Sequence, residues 1–353
     1  MENRLVIGTL DSRHCSVSVQ IKSHIQSLEN KELQISFEKV SDFDTGLDDL
    51  SSDKLDILAI PATEALHSNG EIASKGCAIV GARTPRRPSL LLVSPNRLMY
   101  QPKSAIIVCE FELVKRQILR ARSDLEVIHY EELERLAGGP KPPKDESDRA
   151  NWLGELLSEG RIDGFVTSMK EYEESEQTER RHSLLPFPKE RGGPHFLPLP
   201  YSDLIAIVCR ANSPIEMSKM ITEPEGDTVI WVQSRIMGDL GETSQGILGI
   251  QVRHRQVGAI LRQAEEERDI LLEQACHDPE GEIIEEEVRV EIRIETISED
   301  GNRTLALDRL VAKSEFQHAT IALIGDWNRM VKESSRDVPK DHPTDDDAPP
   351  FLR

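Results

Sequence analysis

Two short stretches of this chain repeat one another, and the repeat limits what it can fold into. Asp53-Lys54-Leu55-Asp56-Ile57-Leu58-Ala59 and Gly160-Arg161-Ile162-Asp163-Gly164-Phe165-Val166 each set a charged loop and an apolar-Asp pair before a strand-like run. A short helix-forming segment follows each, beginning at Pro61 in the first. The order upstream recurs as well. Leu5-Val6-Ile7-Gly8 passes through Thr9, Asp11 and Ser12, which are capping-type residues, into a helical pattern of Val17, Ile21, Ile25 and Leu28. Leu33-Gln34-Ile35-Ser36-Phe37 then alternates as a strand. In the second copy, Ala105-Ile106-Ile107-Val108 is a strand, 110–122 is helical, and Leu125-Glu126-Val127-Ile128 is a strand. Strands that alternate with helices predict sheets covered by helices on both faces. The fold class expected is α/β: two similar doubly wound lobes and a small C-terminal α+β domain with an antiparallel sheet. The strand Leu90-Leu91-Leu92-Val93 falls in the crossover 85–102, and Leu204-Ile205-Ala206-Ile207-Val208 is placed to return to the first lobe.

The last third carries a different pattern. Val257, Ile260, Leu261, Ala264, Leu271 and Leu272 mark a helix ending near Cys276. Val288, Val290, Ile292 and Ile294 alternate strictly with Arg289, Glu291, Arg293 and Glu295, the period of a half-buried strand. Asp300-Gly301 predicts a hairpin turn, Leu305, Leu307, Leu310 and Val311 a return strand, and Ile321, Ile324, Trp327 and Val331 a final helix. Val229-Ile230-Trp231-Val232 reads as a strand and 238–249 as a loop. The expected domains are 1–98 with 199–220 as lobe one, 99–198 as lobe two, 221–333 as the α+β domain, and 334–353 as a disordered acidic tail.

Composition removes several function classes. The 353 residues exceed one ordinary core. A net charge of -20 repels nucleic acid and anionic lipid, so neither is expected as a partner. No apolar run is long enough to span a membrane, and no leader is expected before the first strand. The five cysteines, at 15, 77, 109, 209 and 276, show no C-x-x-C spacing. That argues against a zinc site or a disulfide framework, and a cytoplasmic, monomeric protein without a metal is expected.

Gln274-Ala275-Cys276-His277-Asp278-Pro279-Glu280-Gly281 sits between the charged helix and the alternating strand. From the residues alone, Cys276 could be core filler, a metal ligand, a redox thiol, a nucleophile or an anchor for a covalent group. The stretch resembles the Gly-Gly-Cys-x-x-Pro-x-Gly element in the third domain of the porphobilinogen deaminase (hydroxymethylbilane synthase) family. Ala264-Glu265-Glu266 lies at the matching distance before it, although the two glycines are absent. Other landmarks are colinear over about residues 4–311. Arg4-Leu5-Val6-Ile7-Gly8-Thr9 resembles the first strand, Ser12 the family's serine, and Asp56-Ile57 the approach to the active-site loop. Ser123 to Val127 and Gly160 to Val166 resemble second-lobe segments, and Pro198-Leu199-Pro200 the return to lobe one.

The resemblance implies that the two lobes are of periplasmic-binding-protein type, and that the chain is a transferase that condenses four porphobilinogen units into hydroxymethylbilane, in tetrapyrrole formation. It implies a dipyrromethane cofactor bound covalently at Cys276, with Ser12, Lys115 and Arg116 contacting it, and a small-molecule pyrrole as partner. Glu64 stands where the family has its catalytic Asp, and a carboxylate there would protonate the leaving amine and stabilise a cationic pyrrole. The extra methylene of Glu would shift its oxygens by about 1 Å, enough to cost on the order of 100-fold. Arg83, Arg86 and Arg87 are the candidates to bind substrate carboxylates, since guanidinium forks match them. The chain departs from the family at the clamps: Leu10 replaces an Arg, Thr63 a Lys, and acidic Glu131-Glu132-Leu133-Glu134 fills the region of an Arg-Gly-Asn element. These losses favour the alternative, a catalytically degenerate member that binds a small molecule or regulates, while the kept Cys276-x-x-Pro279-x-Gly281 favours the transferase, which is the leading expectation.

Overall fold

The computed structural model describes residues 4–28, 34–84, 89–133, 141–188, 193–241, 244, 246–277 and 281–334. Ser334, expected to open the tail, is helical; the rest of the expected tail, 335–353, and Arg86, Arg87, Asp278, Pro279 and Glu280 lie outside the described residues. The chain divides into two compact units. Unit one is Met1–Glu110, Glu126–Leu184 and Tyr201–Ser234; unit two is Phe111–Leu125, Leu185–Pro200 and Arg235–Arg353.

Unit one holds two five-stranded sheets of the same design. In the first, β1 (Arg4–Thr9) pairs in parallel with β2 (Gln34–Lys39) and β3 (Ile57–Pro61), and β10 (Ile205–Arg210) runs antiparallel between β3 and β4 (Cys77–Arg83). In the second, β6 (Ile106–Val108) pairs in parallel with β7 (Glu126–Ile128) and β8 (Gly164–Ser168). There β5 (Leu90–Val93) runs antiparallel between β8 and β9 (Arg181–Ser183). The orders β2-β1-β3-β10-β4 and β7-β6-β8-β5-β9 correspond strand for strand. Each sheet takes its antiparallel strand from a stretch where the chain crosses between lobes, as the sequence predicts for β5 and β10.

The repeat read in the sequence has a physical cause. Asp56 accepts a hydrogen bond at 2.8 Å from the Val6 N–H, and its own N–H donates to Val6 O at 2.9 Å. Asp163 accepts at 2.8 Å from the Ile106 N–H and donates to Ile106 O at 2.9 Å. The two aspartates therefore close the same gap at the start of the third strand in each lobe, satisfying a backbone donor that the ladder leaves over. Strands β3 and β8 are buried along their whole length, which their near-continuous apolar runs require.

Helices cover these sheets. In lobe one they are α1 (Val17–Ser27), α2 (Phe43–Ser51), α3 (Ala62–His67) and α4 (Asn69–Ser74). Asp42 caps α2 by accepting from the Thr45 N–H at 2.8 Å. Asp11 accepts from the Ser18 N–H (2.8 Å) and Ser18 Oγ (2.9 Å) in the first turn of α1. The helix α5 (Glu112–Ala121) belongs to unit two, whereas α6 (Arg149–Ser158) and α7 (Met169–Glu174) belong to lobe two. After the short α8 (Ile215–Lys219) comes α9 (Pro224–Leu240).

The expected strand at Val229 to Val232 is a turn of α9. Pro224 opens it and Glu225 and Asp227 occupy its first turn, both favoured there. Val229, Val232 and Ile236 are its buried face, at helical spacing. The expected loop at 238–249 is correspondingly shorter, ending where β11 (Leu248–Gln256) begins. In unit two, β11, β12 (Val288–Ile297) and β13 (Thr304–Ala312) form the antiparallel sheet. Gly301, at φ 76, makes the turn expected between the last two strands. A Cβ there would also lie 2.6 Å from Arg120 N, so only glycine fits.

The single helix expected up to Cys276 is two: α10 (Val257–Glu267) ends at Arg268 in the left-handed region, and Asp269 then caps α11 (Ile270–Gln274). The helix α12 (Phe316–Ser334) closes the unit. Unit two also claims 111–125 and 185–198, which the sequence assigns to lobe two, and 199–200, which it assigns to lobe one. The reason is a buried carboxylate on β12. Glu295 is 1 % exposed and accepts from Gln117 Nε2 (2.8 Å) and Arg120 Nη1 (2.8 Å), and it contacts His195 Nε2 at 3.0 Å. Burial would raise its pKa, but these three partners hold it at about 2.

Candidate functional site

In open α/β sheets, ligands bind outside the carboxyl ends of the strands, where the strand order reverses. The orders β2-β1-β3 and β7-β6-β8 put those points at the ends of β1 and β3 and of β6 and β8. Three of these four ends contribute to one charged cluster in unit one. Arg13 comes from the loop after β1, Glu110 from the loop after β6, and Glu171 from the first turn of α7, immediately after β8. Arg149, at the start of α6, completes it.

Arg13 lies across the two carboxylates. Its Nη1 and Nη2 donate to Glu110 Oε2 (3.1 Å) and Oε1 (2.9 Å), and its Nε donates to Glu171 Oε1 at 2.7 Å. Planar, two-pronged pairing of this kind is among the strongest that side chains make. Arg149 Nη1 donates to the same Glu110 Oε2 at 2.9 Å, and its guanidinium stacks 4.1 Å from the centre of the Tyr130 ring. Glu146 lies on the outside, 3.9 Å from Arg13 and 3.4 Å from Arg149. Lys170 donates to Ser12 O, which ties α7 to the loop that carries Arg13. That loop is internally braced: the Ser12 N–H donates to Cys15 O, and the Cys15 N–H to Ser12 Oγ, both at 3.1 Å.

Glu171 is 8 % exposed. Its Oε2 accepts from Thr167 Oγ1 (3.0 Å), Ser168 N (3.2 Å) and Ser168 Oγ (3.0 Å), so Ser168-Met169-Lys170-Glu171 is a capping box. Burial would push its carboxyl up; His14, Arg13 and the Ser168 N–H outweigh that and hold it at about 2. His14 Nδ1 stands 3.4 Å from Glu171, and candidate ligand atoms of His14, Glu110 and Glu171 lie within 4.8 Å of one another. That donor set is of metal-binding type, but Arg13 already bridges both carboxylates, and Arg149 supplies the second positive charge at Glu110. The cavity beside the cluster, lined by Val108, Tyr130, Leu153 and Val166, is about 10 Å³. That is room for one water at most, so Arg13 fills the site.

The residues singled out in the sequence fall elsewhere, with one exception. Ser12 belongs to this cluster through its carbonyl. Glu64 is on the first turn of α3 with an exposed side chain. Arg83 is 9 % exposed; it donates to Ile221 O at 3.1 Å and lies 3.9 Å from Glu223, within lobe one. Its neighbour Thr84 and the α1 residues Gln20, Ser23, His24 and Ser27 line with it an open cavity of about 440 Å³. Lys115 and Arg116 are on α5 in unit two. Arg116 is 9 % exposed and is spent on Glu112 Oε1 (2.7 Å) and Ile297 O (2.9 Å).

Cys276, also in unit two, is fully buried against Val257 and Ile260. Its thiol donates to Leu272 O at 3.4 Å, and Arg289 donates to its carbonyl at 3.3 Å. Burial pushes the thiol pKa up, and Arg289 and Arg255 offset this only in part. Sequence reasoning passed over Arg13, Glu110, Arg149 and Glu171. The available signal was the capping box Ser168-x-x-Glu171 directly after an apolar strand.

No family model matches this chain, and no curated protein matches it. Among solved structures it is similar to YhfZ from Shigella flexneri, at 10% identity over 66% of this chain and 89% of that one, with a TM-score of 0.28. It is similar to a periplasmic substrate-binding protein of an ABC transporter from Coxiella burnetii, at 13% identity over 65% and 95%, with a TM-score of 0.31. The periplasmic aliphatic sulphonate binding protein SsuA from Escherichia coli is a third, at 14% identity over 77% of each chain, with a TM-score of 0.32. Likenesses at this level say nothing of ligand or reaction, and the strand orders above carry the fold. No helix among the described residues is long and apolar enough to cross a membrane.

Proposed function

We propose that this protein binds a small molecule between the two α/β lobes of unit one and acts as a binding or regulatory protein rather than as a catalyst. The observation that carries this reading is the convergence of Arg13, Glu110, Arg149 and Glu171 at the strand ends where such sheets take their ligands. Arg13 belongs to one lobe, and Glu110, Arg149 and Glu171 to the other. A ligand that engages this cluster changes how the lobes are held together, which is how two-lobed binders couple occupancy to shape. A thermal-shift screen of the full chain tests the proposal. A ligand at 100 times its dissociation constant stabilises by about 2.7 kcal/mol, and Glu110→Gln should abolish that gain. A ligand whose effect survives Glu110→Gln would place its binding elsewhere.

A second reading, the porphobilinogen deaminase-like transferase, rests on the spacing around Cys276. It requires that thiol to carry a dipyrromethane, whereas full burial and a raised pKa favour an unmodified, inert sulfur. Intact mass of protein made in cells that produce porphobilinogen decides between them. The binding reading expects the sequence mass. An excess of one dipyrromethane, lost in Cys276→Ser, would establish the transferase.

A further inference from the structure

We infer that Arg13 is a tethered stand-in for the ligand, and that the ligand is an organic monocation bearing a guanidinium or a comparable flat, multi-donor cationic head. This rests on the proposal that the cluster is the binding site, and adds the ligand's chemistry. Three observations point the same way. The first is geometry: three N–H groups of one guanidinium meet three carboxylate oxygens of Glu110 and Glu171 at 2.7 to 3.1 Å. The second is charge. With Arg13 withdrawn, Glu110, Glu171 and the more exposed Glu146 face, among the described residues, the guanidinium of Arg149, with His14 at the edge and Lys170 committed to Ser12 O and, at 3.8 Å, to Glu174. The remaining site is net negative and lined by acceptors, so an anion is repelled and a cation is required. The third is space: about 10 Å³ is left beside the cluster, so nothing enters while Arg13 is in place.

The carboxylates are held for this task independently of Arg13. Glu171 is fixed by Thr167 and Ser168, and Glu110 by Arg149, whose own ring stacking on Tyr130 sets its plane. The arginine comes from the loop after β1, so its side chain can swing out without breaking a strand or a helix. A tethered side chain competes at an effective concentration in the millimolar range or above. It therefore masks a weak cation completely and admits only a ligand that adds contacts of its own.

Titration calorimetry with methylguanidinium at millimolar concentration, on the full chain, reads this directly. Arg13→Ala should bind it at least tenfold more tightly than the wild type, and Arg13→Ala with Glu110→Gln should lose the gain. Arg13→Gln, which keeps the stem and removes the charge, is the second variant should the alanine form fail to fold; it should also gain binding. Acetate and Zn²⁺ serve as the contrasting probes. No gain for methylguanidinium in either folded variant overturns the inference. So does a gain for Zn²⁺ alone, which would assign the His14, Glu110 and Glu171 donors to a metal. If an anion instead binds the wild type in a Glu110-dependent way, the ligand class proposed here fails while the binding reading stands. If no ligand effect on the wild type or the variants depends on Glu110, both fail.

Discussion

Replacing Glu171 by Gln tests the cluster most directly, because its carboxylate serves two masters. Oε1 faces Arg13, and Oε2 faces three donors from Thr167 and Ser168. An amide has one acceptor oxygen, so either Arg13 or the Ser168 N–H meets an NH₂ group. Hydrogen bonds to charged groups contribute about 1.5–3 kcal/mol each. A shift from 4.5 to about 2 corresponds to at most about 3 kcal/mol of folding free energy at neutral pH. Arg13 retains 24% of its side-chain exposure and recovers some hydration when released, so the expected loss is about 2–3 kcal/mol. At roughly 2–4 °C per kcal/mol for a body of this size, the melting temperature should fall by about 5–10 °C.

The sign against pH follows from the direction of the shift. The folded-state pKa lies below the unfolded one, so the contribution is complete above about pH 4.5 and disappears as pH falls toward about 2. Calorimetric scans of wild type and Glu171→Gln from pH 7 to pH 2.5 should show a gap that narrows through that window. A gap that is absent at pH 7, or constant down to pH 3, would refute the assignment of Glu171 as an ionised latch.

Three further outcomes are expected. Glu295→Gln removes the negative charge that Arg120 pairs with and leaves it the His195 carbonyl, and should destabilise unit two by about 3 kcal/mol in urea unfolding, with the midpoint and not the slope changing. Gly226→Ala should be among the most damaging single-methyl additions, because its Cβ would stand 2.2 Å from Ala82 O and 2.5 Å from Ala82 C, both backbone atoms; about 1–3 kcal/mol is expected, read by thermal melting. On the same helix, Gly238→Ala meets nothing within 4 Å and should stabilise by about 0.5–1 kcal/mol in the same assay.

The lobes were legible because their signals are local and repeated. Apolar runs such as Ile57 to Ile60 can only be buried strands once Asp56 and Asp163 mark where they start, and the spacing of the copies fixed two sheets. Val229 to Val232 misled because four consecutive apolar residues are ambiguous between a buried strand and one helical turn. Only the longer window, from Pro224 past Ile236, shows helical spacing. The claim of unit two on Gln117, Arg120 and His195 was illegible for another reason. It depends on a buried carboxylate 100 or more residues away, and Glu295 reads in sequence as the polar half of an alternating strand.

The site was the least legible part, and the two lobes explain why when set side by side. Glu64 and Glu171 occupy the same place in the repeat: each is the third residue of the helix that follows the third strand of its lobe. They differ in the residue before the helix. Ser168 offers a hydroxyl and an N–H, so Glu171 folds back onto it and is held inward, facing the strand ends. Pro61 has neither group to offer, so the same box cannot form and Glu64 stays exposed. A resemblance centred on the first lobe selects Glu64. The capping chemistry selects its counterpart in the second, and that is the carboxylate the chain meets with a cation of its own. The choice between them was written in one residue, Pro61 against Ser168. Its meaning depended on the two positions being equivalent, which the strand orders establish.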